Sequence, residues 1–168
     1  MGILDGWSFC PRCASPLTRR LSSVNCTSCG WVGWSNPVPG AQAVVERDGR
    51  VLLGRRRSDP SAGLWDLPGG FVDEHEHPLE ALERELREET GLAIEPTEFL
   101  GIWMQPYDDR NVLCLTWLAH PVRGTERAGD DLTELHWFGR DDLPAPVELA
   151  FSTFVEILSL WRARDEDA

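Results

Sequence analysis

The sequence predicts an α+β fold, a mixed sheet packed against helices, with a small four-cysteine ribbon ahead of it. Three observations carry this expectation. Short β-rich runs outnumber the helical segments and interleave with them. Residues 78–90, and a last segment starting near Thr153, put their apolar side chains on one face at helical spacing. Four cysteines near the start are paired at a spacing that suits one tetrahedral ion. On this reading residues 1–35 form the ribbon and residues 36–168 the main domain.

The elements follow in order. Cys10, Cys13, Cys26 and Cys29 form C-x2-C-x12-C-x2-C, four thiols able to surround one zinc ion. Two disulfides are the alternative. No signal peptide is read in MGILDGWSFCPRC, so a reducing, cytoplasmic location is expected and zinc is preferred. All four ligand positions are filled, which makes the expected zinc structural. A segment this short buries too little apolar surface to fold alone, and zinc would compensate. SNPVPG, residues 35–40, is a short joint. AQAVVERDGRVLLGRRR reads as a hairpin turning at Asp48-Gly49. GLWDLPGGFVD is strand-like but broken by Pro68-Gly69-Gly70. A helix is expected from Pro78 to Thr90, stopped by Gly91. Strands are expected at FLGIWMQ, VLCLTWLA and ELHWFG. Thr153 with Glu156 reads as a capping box for the last helix, whose Phe154, Leu158 and Trp161 share a face. ARDEDA is a charged tail. Cys114 lies among strand formers and is expected to be a buried, inert thiol.

Composition excludes several functions. The chain is 42% hydrophobic with eight tryptophans, a globular composition, and no apolar run is long enough to span a membrane. Its net charge is −12, and every basic residue is arginine. Such a chain repels nucleic-acid backbones and anionic lipid, so no general affinity for either is expected. Within the ribbon, Arg12, Arg19 and Arg20 face only Asp5 in the charge balance, a thin footprint for phosphate. The ribbon is expected instead to staple the N-terminus to the main domain or to a partner. A homodimer is admitted by analogy, with Trp31 and Trp34 as its contact if exposed.

The stretch ERELREETGL concentrates carboxylates on one helix. At about 100° per residue, Leu79, Leu82 and Leu86 form the core stripe, and Glu80, Glu83 and Arg87 occupy a solvated flank. Glu85, Glu88 and Glu89 gather on the other flank, where like charges raise one another's pKa and cost stability. Divalent cations would remove that difficulty, since carboxylate oxygens are the ligands magnesium and manganese prefer. The preceding Pro-Gly-Gly allows a sharp backbone turn and leaves a carbonyl free to serve as a further ligand. Three further side chains are candidates for substrate binding: Arg55 and Arg57 for phosphate, with Arg56 between them, and Trp65 for stacking on a base.

Gly70, Glu76 and Arg84-Glu85-Leu86-Arg87-Glu88-Glu89-Thr90-Gly91-Leu92 resemble the Nudix box, G-x5-E-x7-R-E-U-x-E-E-x-G-U, at every specified position. VLLGRRR, LWDLPGG and ELHWFGRDDLP around it also look like the family's strands and loops. The resemblance implies a Nudix-type α/β/α sandwich with a mixed sheet, and hydrolysis of a nucleoside diphosphate linked to another moiety with magnesium or manganese. It implies that Glu85, Glu88 and Glu89 bind the metal, with Gly70 offering its carbonyl and Arg84 positioning a glutamate. Glu85 is also implied to orient or deprotonate water, and Glu76 to secure the loop. Glu134 looks like a glutamate that in several members completes the metal site or acts as base. A ribbon ahead of the box resembles both the NADH pyrophosphatases and compact proteins acting on ADP-ribose, FAD and related dinucleotides. The first group carries SQPWPFPxS downstream, where this chain has Met104-Gln105-Pro106-Tyr107, so the second is preferred. A non-catalytic nucleotide sensor is the other alternative, disfavoured by the intact box. A diphosphate isomerase shares the fold, but its cysteine and glutamate catalysts are not found.

Overall fold

A computed structural model describes residues 4–164. The last four residues of the tail ARDEDA, and the first three of the chain, lie outside the described residues. The chain forms two compact units, Met1–Val38 with Pro106–Val112, and Pro39–Gln105 with Leu113–Ala168. The expected ribbon boundary falls three residues before the end of the first segment. The grouping of residues 106–112 with the first unit has no local signal in the sequence.

The first unit contains a three-stranded antiparallel sheet, β1 (Leu17–Arg19), β2 (Ser23–Cys26) and β3 (Val32–Trp34). Each cysteine pair forms the same tight turn. The Ala14 N–H donates to the Cys10 carbonyl at 2.8 Å, and the Gly30 N–H to the Cys26 carbonyl at 3.0 Å. Among the described residues few of its side chains are buried: Leu4, Cys10, Ser23, Val24, Cys26 and Val112.

The second unit holds most of a seven-stranded mixed sheet, whose β4 start at Val38 and whose segment 106–112 are grouped with the first unit. Its main path runs β10 (Leu132–Gly139), β5 (Arg50–Arg56), β4 (Val38–Arg47), β9 (Arg110–Gly124), β8 (Leu92–Tyr107). Two short strands, β6 (Trp65–Asp66) and β7 (Gly69–Phe71), pair with β5 and β4. The β4–β5 hairpin turns at Asp48 and Gly49 with φ of 53° and 70°. Two successive left-handed residues make a primed turn, whose twist matches the flanking strands. The strands at 92–107 and 110–124 run longer than the apolar runs that predicted them, passing through Pro96 and Gly101.

Helix α1 (Pro78–Thr90) has the expected bounds. It ends at Gly91, φ 73°, whose N–H donates to the Arg87 carbonyl at 3.0 Å. Ala81, Leu82 and Leu86 pack against Ala41, Ala43 and Val45 of β4, Leu52 of β5, Leu92 and Ile94 of β8, and Ala119 of β9. Burying a side chain such as Leu82 or Leu86 stabilises by about 1.5–3 kcal/mol. Helix α2 (Thr153–Ala163) covers the other face. The Trp161 Nε1–H donates to Glu46 at 2.7 Å, and Glu46 is one residue out of phase with Val45, so it points away from α1. The capping box expected at Thr153 and Glu156 does not form. Ser152 precedes the helix with helical dihedrals and no side-chain cap, while the Thr153 hydroxyl donates to the Gln105 amide oxygen at 3.2 Å. A capping box occurs instead on α1, between His77 and Glu80.

Candidate active site

Strand β7 brings Gly69 and Gly70 against Gln42 and Ala41 of β4. A Cβ on Gly70 would overlap the Glu85 carboxylate, so a side chain there would displace that carboxylate from its present position. Arg84 ties loop to helix. Its Nε and Nη2 donate to the two Glu76 oxygens at 2.9 and 2.8 Å, a bidentate fork, and Nη2 also reaches the Phe71 carbonyl at 3.1 Å. Its Nη1 donates to Glu85 at 2.7 Å and reaches toward Glu88 at 3.4 Å. That fork holds the Glu76 carboxyl below its ordinary range. Arg84 thus links Glu76 of the loop to Glu85 of the helix.

Burial pushes Glu85 up despite its bond to Arg84, and the charges of Glu88 and Asp130 add to the rise. Glu89 is buried, and desolvation raises it well above its usual value even though the Gly69 N–H donates to it at 2.8 Å. The negative charges of Asp66, Glu85 and Asp131 raise it further. Among the described residues Arg84 is the guanidinium that bonds Glu85 and reaches toward Glu88, so acids outnumber the positive charge that meets them. Hard oxygen donors converging in this way fit a divalent cation such as magnesium or manganese.

The carboxylates that converge are not quite those the sequence picks out. Ligand oxygens of Glu85, Glu88 and Asp130 lie within 4.8 Å of one another. Glu89 turns toward the Gly69 N–H instead, because it lies one residue past Glu88 on the side of α1 nearer the core. Asp130 arrives from the loop between β9 and β10, more than 40 residues along the chain, which helix periodicity does not reveal. The doubled acid in AGDD was its only sequence signal. Asp66 was also missed. It is paired with Arg56, is pushed up to about 6 by burial despite that arginine, and adds to the field at Glu89.

Several expected site residues have other partners. Glu134 stands opposite Arg55 in the β10–β5 register and accepts from Arg55 Nε at 3.1 Å. Among the described residues it is not in the Glu85 cluster, whose third member is Asp130. Arg55 also donates to the Gly63 carbonyl at 2.7 Å and lies 4.3 Å above the Trp65 ring. Trp65 is buried, with Phe138 edge-on at 4.9 Å, so its ring is a packing contact and not an open platform for a base. Arg57 is a loop clamp: its Nε and Nη2 donate to the Asp130 and Leu132 carbonyls at 2.8 and 3.1 Å. A phosphate role for Arg57 would compete with those bonds. Cys114 is buried, its thiol pushed up to about 12 by burial and then by Asp66, as expected of an inert core thiol.

The four ribbon sulfurs also gather, all within 4.8 Å of one another, with Cys10 to Cys29 at 3.6 Å and Cys13 to Cys26 at 3.4 Å. The Ser15 hydroxyl and N–H draw the Cys13 thiol down to about 6. Four soft sulfur donors in this arrangement fit a tetrahedral zinc ion.

Residues 36–156 match the NUDIX domain. The chain belongs to the Nudix family. That makes it a Nudix hydrolase, among pyrophosphatase relatives. An ADP-ribose pyrophosphatase from Methanocaldococcus jannaschii is 35% identical over 69% of this chain and 68% of its own. A CTP pyrophosphohydrolase from Escherichia coli is 36% identical over 72% of this chain and 90% of its own. An NAD-capped RNA hydrolase, NudC, from Haemophilus influenzae is 29% identical over 96% of this chain and 64% of its own, so this Nudix chain spans under two thirds of that relative. The structure of a Nudix hydrolase from Nitrosomonas europaea superposes with a TM-score of 0.75 over 87% of this chain and 85% of that one, at 23% identity, a likeness of fold.

Proposed function

We propose that the protein hydrolyses the diphosphate of a nucleoside diphosphate linked to another moiety, ADP-ribose- or FAD-like, releasing AMP and a phosphorylated remainder. One observation carries this reading: Glu85 and Glu88 share one flank of α1, with the Glu85 carboxylate against Gly70 and clamped by Arg84. The name of the 35% identical relative supports the substrate class. Glu85, Glu88, Glu89 and the Gly70 carbonyl would hold magnesium or manganese. Such a cation, when bound, would supply neutralisation of the diphosphate charge and a lowered water pKa, so that hydroxide is available for in-line attack on phosphorus. Arg84 keeps Glu85 aimed at the reaction centre, and Glu76 keeps Arg84 aimed in turn. Glu85 accepts the proton of the attacking water. An acidic protein then binds an anionic substrate because cations, rather than arginines, supply the positive field.

The four ribbon cysteines would hold a structural zinc ion, and the protein would work in the reducing cytoplasm. A second reading, cleavage of NADH or NAD, is favoured by the relative whose match takes in 96% of the chain, the ribbon included. AMP release from ADP-ribose, FAD, NADH and diadenosine polyphosphates, with and without magnesium, separates the readings. Fastest magnesium-dependent release from ADP-ribose or FAD is expected. Preference for NADH would favour the second reading, and tight binding without cleavage would make the protein a sensor.

A further inference from the structure

We infer that Asp130 belongs to the metal site and that the loop 125–131 is a braced arm which delivers it there, with Glu126 and Arg57 as positioning residues. The inference rests on the metal-dependent reading above and adds a part to it.

The loop is fastened at three places. At the end of α1 it occupies carbonyls that have no partner within the helix: the Arg127 N–H donates to the Thr90 carbonyl and the Gly129 N–H to the Glu89 carbonyl, both at 2.9 Å. A Cβ on Gly129 would run into the Glu88 carbonyl, so only glycine lets the loop come this near. On the sheet, the Glu126 carboxylate accepts from Arg47 Nη2 at 2.5 Å and from Trp137 Nε1 at 3.0 Å. The Arg47 guanidinium itself lies 4.2 Å above the Trp137 ring, so acid, base and indole lock one another. At its far end Arg57 grips the backbone. Its N–H donates to the Asp131 carbonyl at 2.7 Å and its guanidinium to the carbonyls of Asp130 and Leu132.

Between these fixings Asp130 adopts φ 46°, a left-handed conformation that aspartate tolerates better than most residues. There its carboxylate meets those of Glu85 and Glu88. A like charge delivered so close to two others by so many bonds calls for a cation. Glu134, held by Arg55, is not available in the same way. Glu126 and Arg57 would touch neither metal nor substrate. They act through the placement of Asp130.

The test is manganese affinity, read from the electron paramagnetic resonance of free Mn2+ without substrate, for wild type and for Asp130→Asn, Glu126→Ala, Trp137→Phe and Glu134→Gln. Trp137→Phe keeps an aromatic ring, though a smaller one, and removes one donor to Glu126 while leaving its carboxylate, which guards against a misfolded Glu126→Ala. Loss of a group that orients a ligand typically weakens metal binding about 10–100-fold. Asp130→Asn and Glu126→Ala should each weaken it at least about tenfold, Trp137→Phe by less, and Glu134→Gln by less than Asp130→Asn. The double variant Asp130→Asn/Glu126→Ala should bind no worse than Asp130→Asn, because an arm without its carboxylate has nothing to deliver. Excess manganese should restore turnover to Glu126→Ala, a result that a global defect would not give. Fully additive losses, or a larger loss in Glu134→Gln than in Asp130→Asn, would overturn the inference while leaving the hydrolase reading in place. Wild-type protein that binds no manganese would remove the metal-dependent reading itself.

Discussion

Arg84 shows how much one side chain can organise. Its planar fork spans Glu76 and Glu85 at once, so loop 71–76 and helix α1 keep their relation only while five N–H donors stand in fixed geometry. Lysine would keep the charge and lose the fork. Arg84→Lys should therefore lower kcat/KM about 10–100-fold with little loss of stability, measured by steady-state kinetics beside a thermal melt. Equal activity would show that charge alone matters here. The carboxylates make a second prediction, about pH. Burial raises Glu85 and raises Glu89 further, so protons compete with cations at these groups above the usual carboxylate range. Metal binds the ionised form, so apparent manganese affinity should climb as pH rises through those raised values and fall as acid restores the protons. Titrations from about pH 5 to pH 8 would show the slope, and a flat profile would contradict the assigned ligands.

At the scale of elements, α1 is where sequence and structure agree most closely. Pro78, the leucine stripe and Gly91 are all local signals, and each does in the structure what its chemistry implies. The helix start carries a signal of a less usual kind. His77 Nδ1 accepts from the Leu79 N–H at 3.3 Å, and Glu80 accepts from the His77 N–H at 3.0 Å. Glu80→Ala removes half of that reciprocal cap and should cost about 0.5–1 kcal/mol in urea unfolding, with turnover unchanged. No change in the midpoint would mean that Pro78 and packing fix the helix start without it. The same motif read at Thr153 and Glu156 misleads because Thr153 finds a tertiary partner, Gln105, which lies far away in sequence. Asp130 and Glu134 make the corresponding pair at the site. Both are acids in the β9–β10 segment, and register with Arg55 on one side and α1 carbonyls on the other decides which one reaches Glu85. Local chemistry was legible along α1 and at the Asp48-Gly49 turn. The choice between similar residues depended on neighbours that only the assembled sheet supplies.

At the scale of the whole molecule, two units with different sources of stability are joined in one chain. The second unit has its own core, drawn from β4, β5, α1, β8 and β9, with α2 closing the other face through Phe154, Ile157, Leu158 and Trp161. The first has almost none. Its buried side chains include two of the four clustered cysteines, and Trp7 stacks on Trp31 with ring centroids 6.0 Å apart. A unit so poor in buried apolar surface would depend on the zinc ion proposed for its four thiols, since zinc binding to four thiolates supplies on the order of 10–16 kcal/mol in small zinc folds. Stripping zinc with a selective chelator, while magnesium is kept in excess, should therefore unfold the ribbon alone. Tryptophan fluorescence should shift as Trp7 and Trp31 separate, while the main cooperative melting transition and magnesium-dependent AMP release persist. Cys26→Ser should reproduce the effect and lower the zinc content. Turnover that vanished with zinc under those conditions would mean that the ribbon takes part in the chemistry, and its four thiols would then have to be read as more than a staple.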